Sequence, residues 1–149
     1  TVKISGKETF NATPEEIYAF VTDPERGAAC SAAVEELTSQ SGGKFTVKVA
    51  YRKGAFNPSG TVDGAFSNLV KDKSGRLSGT GIAIGGGRLE HRLEFMLATV
   101  PGIQATDASY TAEVVFKGAL GGFSQKFLEK QVNTVASKFV LCARKTNGW

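Results

Sequence analysis

Residues 120–143, LGGFSQKFLEKQVNTVASKFVLCA, carry the reading that decides the fold. The stretch has no proline, and Leu120, Phe123, Phe127, Leu128, Val132, Val135, Phe139 and Cys142 fall on one stripe at helical spacing. Lys126, Glu129, Lys130, Asn133 and Ser137 take the opposite side. A helix of this length spans about 35 Å at 1.5 Å per residue. So long an apolar stripe has to be covered, and the rest of the chain supplies the cover.

Between Val34 and Phe116 the pattern changes to strands and turns. Phe45, Val47, Val49 and Tyr51 keep period two against Lys44, Thr46, Lys48 and Arg52. Asn57-Pro58-Ser59-Gly60 interrupts them as a turn or edge bulge would. Further strands are predicted at 61–70, 76–84, 89–98 and 109–116, separated by Lys73-Ser74-Gly75, Gly85-Gly86-Gly87 and Val100-Pro101-Gly102. Such short connections imply antiparallel pairing, because parallel strands need long crossovers.

At the front, Val2–Phe10 reads as a strand with Val2, Ile4 and Phe10 on one face and Glu8 as a charged exception there. Thr13-Pro14-Glu15-Glu16 is a helix start with a cap, a first-turn proline and a capping-box glutamate. That helix stops near Asp23-Pro24, where a second short one begins. The expected architecture is a single α+β domain over 1–149: a curved antiparallel sheet wrapped around a long C-terminal helix, with two short helices after the first strand. A curved sheet does not close fully on a straight helix, so a cleft is expected between them.

Composition narrows the function. The chain has 149 residues, 41% of them hydrophobic and 21% charged, with a net charge of +4. That balance is ordinary for a globular domain, and no run of basic residues exists to track a nucleic acid. Contact with an anionic membrane surface stays compatible with it. No apolar run reaches the roughly 18 residues of a membrane span, and no signal peptide is visible. The chain begins at Thr1 rather than Met and stops just past a helix, as a trimmed chain would.

Catalytic chemistry finds little support. One histidine leaves a metal cluster short of ligands, and Cys30 with Cys142 has no metal-binding spacing. Two cysteines are also too few for a disulfide scaffold, and a reduced cytosolic setting is expected. Gly79-Thr80-Gly81 with Gly85-Gly86-Gly87 misses the dinucleotide spacing and leads into a strand. Gly118-Ala119-Leu120-Gly121-Gly122 lacks the lysine and hydroxyl residue of a phosphate loop and reads as a turn.

The segments KISGKETFNATPEEIYAFVTDPERGAAC (3–30) and ASYTAEVVFKGALGGFSQKFLEKQVNTVASKF (108–139) resemble the CoxG family, named for the CoxG subunit of carbon monoxide dehydrogenase. That family belongs to the helix-grip superfamily, with START lipid carriers and pollen-allergen-type ligand binders. The chain departs from it at Ser31-Ala32-Ala33, where a leucine-proline-glycine turn is common, and at Glu8, where an apolar residue is usual. The resemblance implies accessory service to a molybdenum-type carbon monoxide dehydrogenase, by membrane recruitment or by handling a quinone, in the cytoplasm or at the inner face of the membrane. It implies no catalytic residues.

The expected function is therefore a non-catalytic carrier of a hydrophobic, lipid-like ligand, with no catalytic cofactor and a quinone as first choice. The residues expected to line its site are Phe123, Phe127, Gln131, Val135 and Phe139 on the helix, with His91, Leu93, Phe95 and Tyr110 on the sheet. His91 shares a strand face with Leu89, Leu93 and Phe95, where a neutral imidazole would bond a ligand carbonyl, the backbone or Glu8. Gln131 interrupts the apolar stripe and needs a partner from backbone, water or a ligand head group. Two other readings stay open: a ligand-free interaction module whose cleft its own phenylalanines fill, and a cyclase or hydrolase built on Glu8 and His91.

Overall fold

The strand-and-turn pattern resolves into six strands, which join the first in one antiparallel sheet. The computed structural model describes every residue, Thr1–Trp149. In chain order the elements are β1 (Val2–Phe10), α1 (Pro14–Val21), α2 (Pro24–Cys30), β2 (Val34–Ser41), β3 (Lys44–Ala50), β4 (Ser59–Val70), β5 (Ser74–Ala83), β6 (Arg88–Thr99), β7 (Thr106–Lys117) and α3 (Gln125–Asn147). The strands lie in the order β1-β7-β6-β5-β4-β3-β2, and the sheet curves around α3 in the helix-grip manner.

The helices begin where their caps are. Thr13 accepts from the Glu16 N–H while the Glu16 carboxylate accepts from the Thr13 N–H, a complete capping box. Asp23 caps α2 ahead of Pro24. For α3 the cap is Ser124, and Gly148 ends the helix in the left-handed region at φ 71°. The sequence expectation of a helix from Leu120 is thus corrected. Gly118–Gly122 form a 3-10 turn, Gly118 has φ 62°, and Leu120 and Phe123 precede the helix.

The buried core has two ends. Val2, Phe56, Leu120 and Leu128 form one cluster. Phe10, Ile17, Phe20, Cys30 and Ala143 form a second group at the other end, with Trp149 packed on it. Arg144 ties α3 to β1 there: its guanidinium pairs with Glu8 at 3.0 Å, donates to the Thr9 carbonyl at 2.9 Å and lies 4.3 Å over the Phe10 ring. Glu8 therefore sits on the apolar face because α3 brings it a cation.

The structure also corrects the expected pair of free thiols. Cys30 of α2 and Cys142 of α3 are joined in a disulfide across a sequence separation of 112. No thiol is left free, so the ground for reading a reducing compartment is removed.

Several glycines pave the concave face. A Cβ on Gly6 would meet the Tyr110 ring at 2.7 Å, and one on Gly64 or Gly79 would run into the Phe45 ring or the His91 imidazole. The rings lie across neighbouring strands instead of standing up from the sheet. Glycine permits that approach because it has no side chain to hold them off.

Candidate functional site

A cavity of about 530 Å³ separates the two core ends. Its roof is α3, its floor is the concave face of β3–β7, and α1 and α2 close one side through Phe20 and Ala28. Of its 48 lining residues 35 are hydrophobic, so a guest would meet mainly carbon. The convex face carries a shallow polar depression of about 270 Å³ over Lys3, Arg92 and Glu113. There Arg92 is paired with Glu113 at 3.8 Å.

Seven of the nine residues expected from sequence line this cavity: Gln131, Val135 and Phe139 from α3, and His91, Leu93, Phe95 and Tyr110 from β6 and β7. Phe123 and Phe127 do not, which corrects their assignment. They stack on each other at 5.5 Å and meet Phe56 edge-on at 5.0 and 5.6 Å. Their rings close one end of the molecule. Phe56 is among the lining residues that sequence reading missed, and it lies in the irregular stretch between β3 and β4.

The polar side chains of the cavity are few, and most are engaged. Gln131 is buried; its amide oxygen accepts from the Tyr51 hydroxyl at 2.7 Å and its nitrogen donates to the Phe127 carbonyl at 3.4 Å. Tyr110 has no hydrogen-bond partner within the chain. Burial and the nearby Glu8 charge raise its pKa, so the phenol keeps its proton at neutral pH.

His91 Nε2 lies 2.7 Å from the Asp63 carbonyl oxygen. The β4–β5 ladder passes from Val62–Gly81 to Ala65–Ser78, leaving Asp63 free to turn its carbonyl onto the concave face. A Cβ on Gly79 would overlap that carbonyl and come within 2.9 Å of Nε2, so the arrangement depends on a glycine at 79. Glu8 and His91, the pair nominated for acid-base chemistry, are held by other partners, Arg144 and Asp63.

Burial lowers the His91 pKa below its ordinary 6.5, outweighing the opposite influence of Asp63. The folded chain thus resists a proton that the unfolded chain accepts. The stability this contributes is complete above pH 6.5 and is lost as pH falls through the lower folded value. In urea unfolding from pH 7.5 to 5, the wild type should lose more stability than His91→Gln. Parallel losses in the two proteins would show that the imidazole is not held neutral.

Three comparisons place these features among known proteins. The family model for CoxG, the CoxG subunit of carbon monoxide dehydrogenase, matches residues 6–146. No curated protein matches the chain by sequence. Among solved structures, a conserved protein from Geobacillus kaustophilus superposes with a TM-score of 0.88 at 16% identity, over 97% of this chain and 94% of that one. A START superfamily protein from Mycobacterium smegmatis gives 0.72 at 12% identity, over 98% and 97%. The Zhui aromatase/cyclase from Streptomyces sp. R1128 gives 0.60 at 13% identity, over 95% and 87%. At these identities the structural likenesses establish the fold alone.

Proposed function

The chain belongs to the CoxG family of carbon monoxide dehydrogenase subunits, and from that premise we propose that it is a non-catalytic carrier of an elongated apolar ligand with a small polar head, a quinone first among candidates. The observation that carries this reading is the cavity of about 530 Å³ that the chain's own phenylalanines leave open. They pack into the two core ends and leave the space between them open. A collapsed cleft would have favoured a ligand-free interaction module instead. The energetics suffice: ten buried methylenes contribute roughly 8 kcal/mol at about 0.8 kcal/mol each, before the cost of association.

The partner in this reading is a carbon monoxide dehydrogenase, supported by the family's description, and we take it to be of the molybdenum type; the carrier would deliver quinone to it or bring it to the membrane. No helix of the chain is long and apolar enough to cross a membrane. Contact with a bilayer would be peripheral, and the β4–β5 turn supports it. Leu69 and Val70 are 45% and 50% exposed there beside Lys71 and Lys73, an apolar tip with basic neighbours.

The test is ligand uptake. Purified protein incubated with vesicles containing a long-chain quinone should retain the quinone after separation, as read by extraction and mass spectrometry. Val135→Trp places an indole in the cavity and should reduce uptake at least tenfold while the fold persists by circular dichroism. A wild type that stays empty, or a Val135→Trp variant that loads equally well, would overturn the carrier reading.

A further inference from the structure

We propose that His91 selects a ligand whose polar head donates a hydrogen bond, a hydroxyl as in a phenol, hydroquinone or alcohol, in preference to one that only accepts. The inference rests on the carrier reading and gives its polar head a chemistry.

It starts from the Asp63 carbonyl. A carbonyl oxygen accepts and cannot donate, so the Nε2 atom 2.7 Å from it must carry the ring proton. In the neutral ring Nδ1 is then bare and can only accept. Nδ1 has no hydrogen-bond partner within the chain, and His91 lines the cavity. The tautomer is fixed by backbone geometry, since Asp63 lies outside the β4–β5 ladder and Gly79 leaves room for the carbonyl beneath the ring. Of the partners expected for the imidazole, the backbone is the one found, so its one N–H is already used and is not available to a ligand carbonyl.

Ser59, Thr61 and Ser109 also line the cavity, but a hydroxyl both donates and accepts and so does not discriminate as a bare ring nitrogen does; the other two polar side chains of note are placed differently. The Gln131 oxygen is taken by Tyr51. Tyr110 lies far away: His91 pairs with Val114 and Tyr110 with Phe95, four residues apart along β7, or about 13 Å at the rise of a strand. Tyr110 also reaches toward β1 over Gly6, whereas His91 reaches toward β4. A compact head group engages one or the other. Near His91 a hydroxyl exchanges its bond to water for one to Nδ1, whereas a carbonyl or ether oxygen faces another acceptor and loses its hydration uncompensated. For a quinone couple this favours the reduced hydroquinone, the form the carrier would take away once the quinone it delivers has accepted two electrons and two protons at the dehydrogenase.

The experiment uses 4-dodecylphenol and its methyl ether, which share a chain and differ in the donor. Binding is read from the fluorescence of Trp149, the one tryptophan and a cavity-lining residue. The wild type should bind the phenol about five- to tenfold more tightly than the ether. In His91→Phe that preference should vanish or invert, and in His91→Gln, which offers both a donor and an acceptor, it should return in part. Equal affinities in the wild type, or a phenol preference that survives His91→Phe, would overturn the selection and leave the carrier reading standing. If neither probe binds, the carrier reading itself fails.

Discussion

Replacing Phe56 with alanine is expected to lower stability by about 3–5 kcal/mol, the range for truncating a buried aromatic ring. Phe56 is 4% exposed and is met by Tyr51 at 5.9 Å, Phe116 at 6.4 Å, Phe123 at 5.0 Å and Phe127 at 5.6 Å. All four contacts are edge-on, the arrangement that adds to the burial of the rings. The segment holding Phe56 is short of other anchors; a bridge between Lys53 and Phe56 is its one internal ladder contact. Truncation therefore leaves a void that neighbouring helices cannot easily collapse into. Equilibrium urea unfolding measures the effect, and a loss below about 1 kcal/mol would show that the end of the cavity is not held by this ring.

Removing the disulfide should cost a comparable amount, about 2–5 kcal/mol. The reason is chain statistics: the bond closes a loop with a sequence separation of 112, and a loop near 100 residues forfeits about 4.7 kcal/mol of unfolded-state entropy in the loop-closure description. The bond also fastens α2, whose Pro24, Gly27 and Ala28 border the cavity, to the roof helix α3. In Cys30→Ala/Cys142→Ala, α2 should loosen and ligand should exchange faster as well as the chain unfolding at lower urea. A dithiol reductant should bring the wild type to the same midpoint. If unreduced, denatured wild type titrates with two free thiols, the bond is absent and this expectation falls.

Much of the fold was legible because its signals are local. The α1 cap needs only Thr13 and Glu16, three positions apart, and the stripe on α3 repeats every turn. The misplaced helix start has a local cause too: Leu120 and Phe123 continue the apolar spacing backwards, and only the capping by Ser124 and the left-handed Gly118 show that the helix has not begun. For the site, period two in β6 put His91 on the cavity side. What it could not supply was the ring's partner, since Asp63 lies two strands away and becomes available through a gap in the ladder. Glu8 with Arg144, Tyr51 with Gln131 and Cys30 with Cys142 are likewise joined only by the closing of the sheet over α3. No spacing in the chain encodes such pairs.

The glycines beneath the rings have a consequence for how a cavity of this kind could diversify. Guest size depends on the tilt of rings such as Phe45 and Tyr110, and that tilt depends on what lies under them at Gly64 and Gly6. A methyl added at position 64 would lift the Phe45 ring toward the guest, so the accommodated volume changes while every residue facing the guest keeps its identity. Related chains with identical linings can then hold guests of different length. Their preferences would be written in positions that no guest touches.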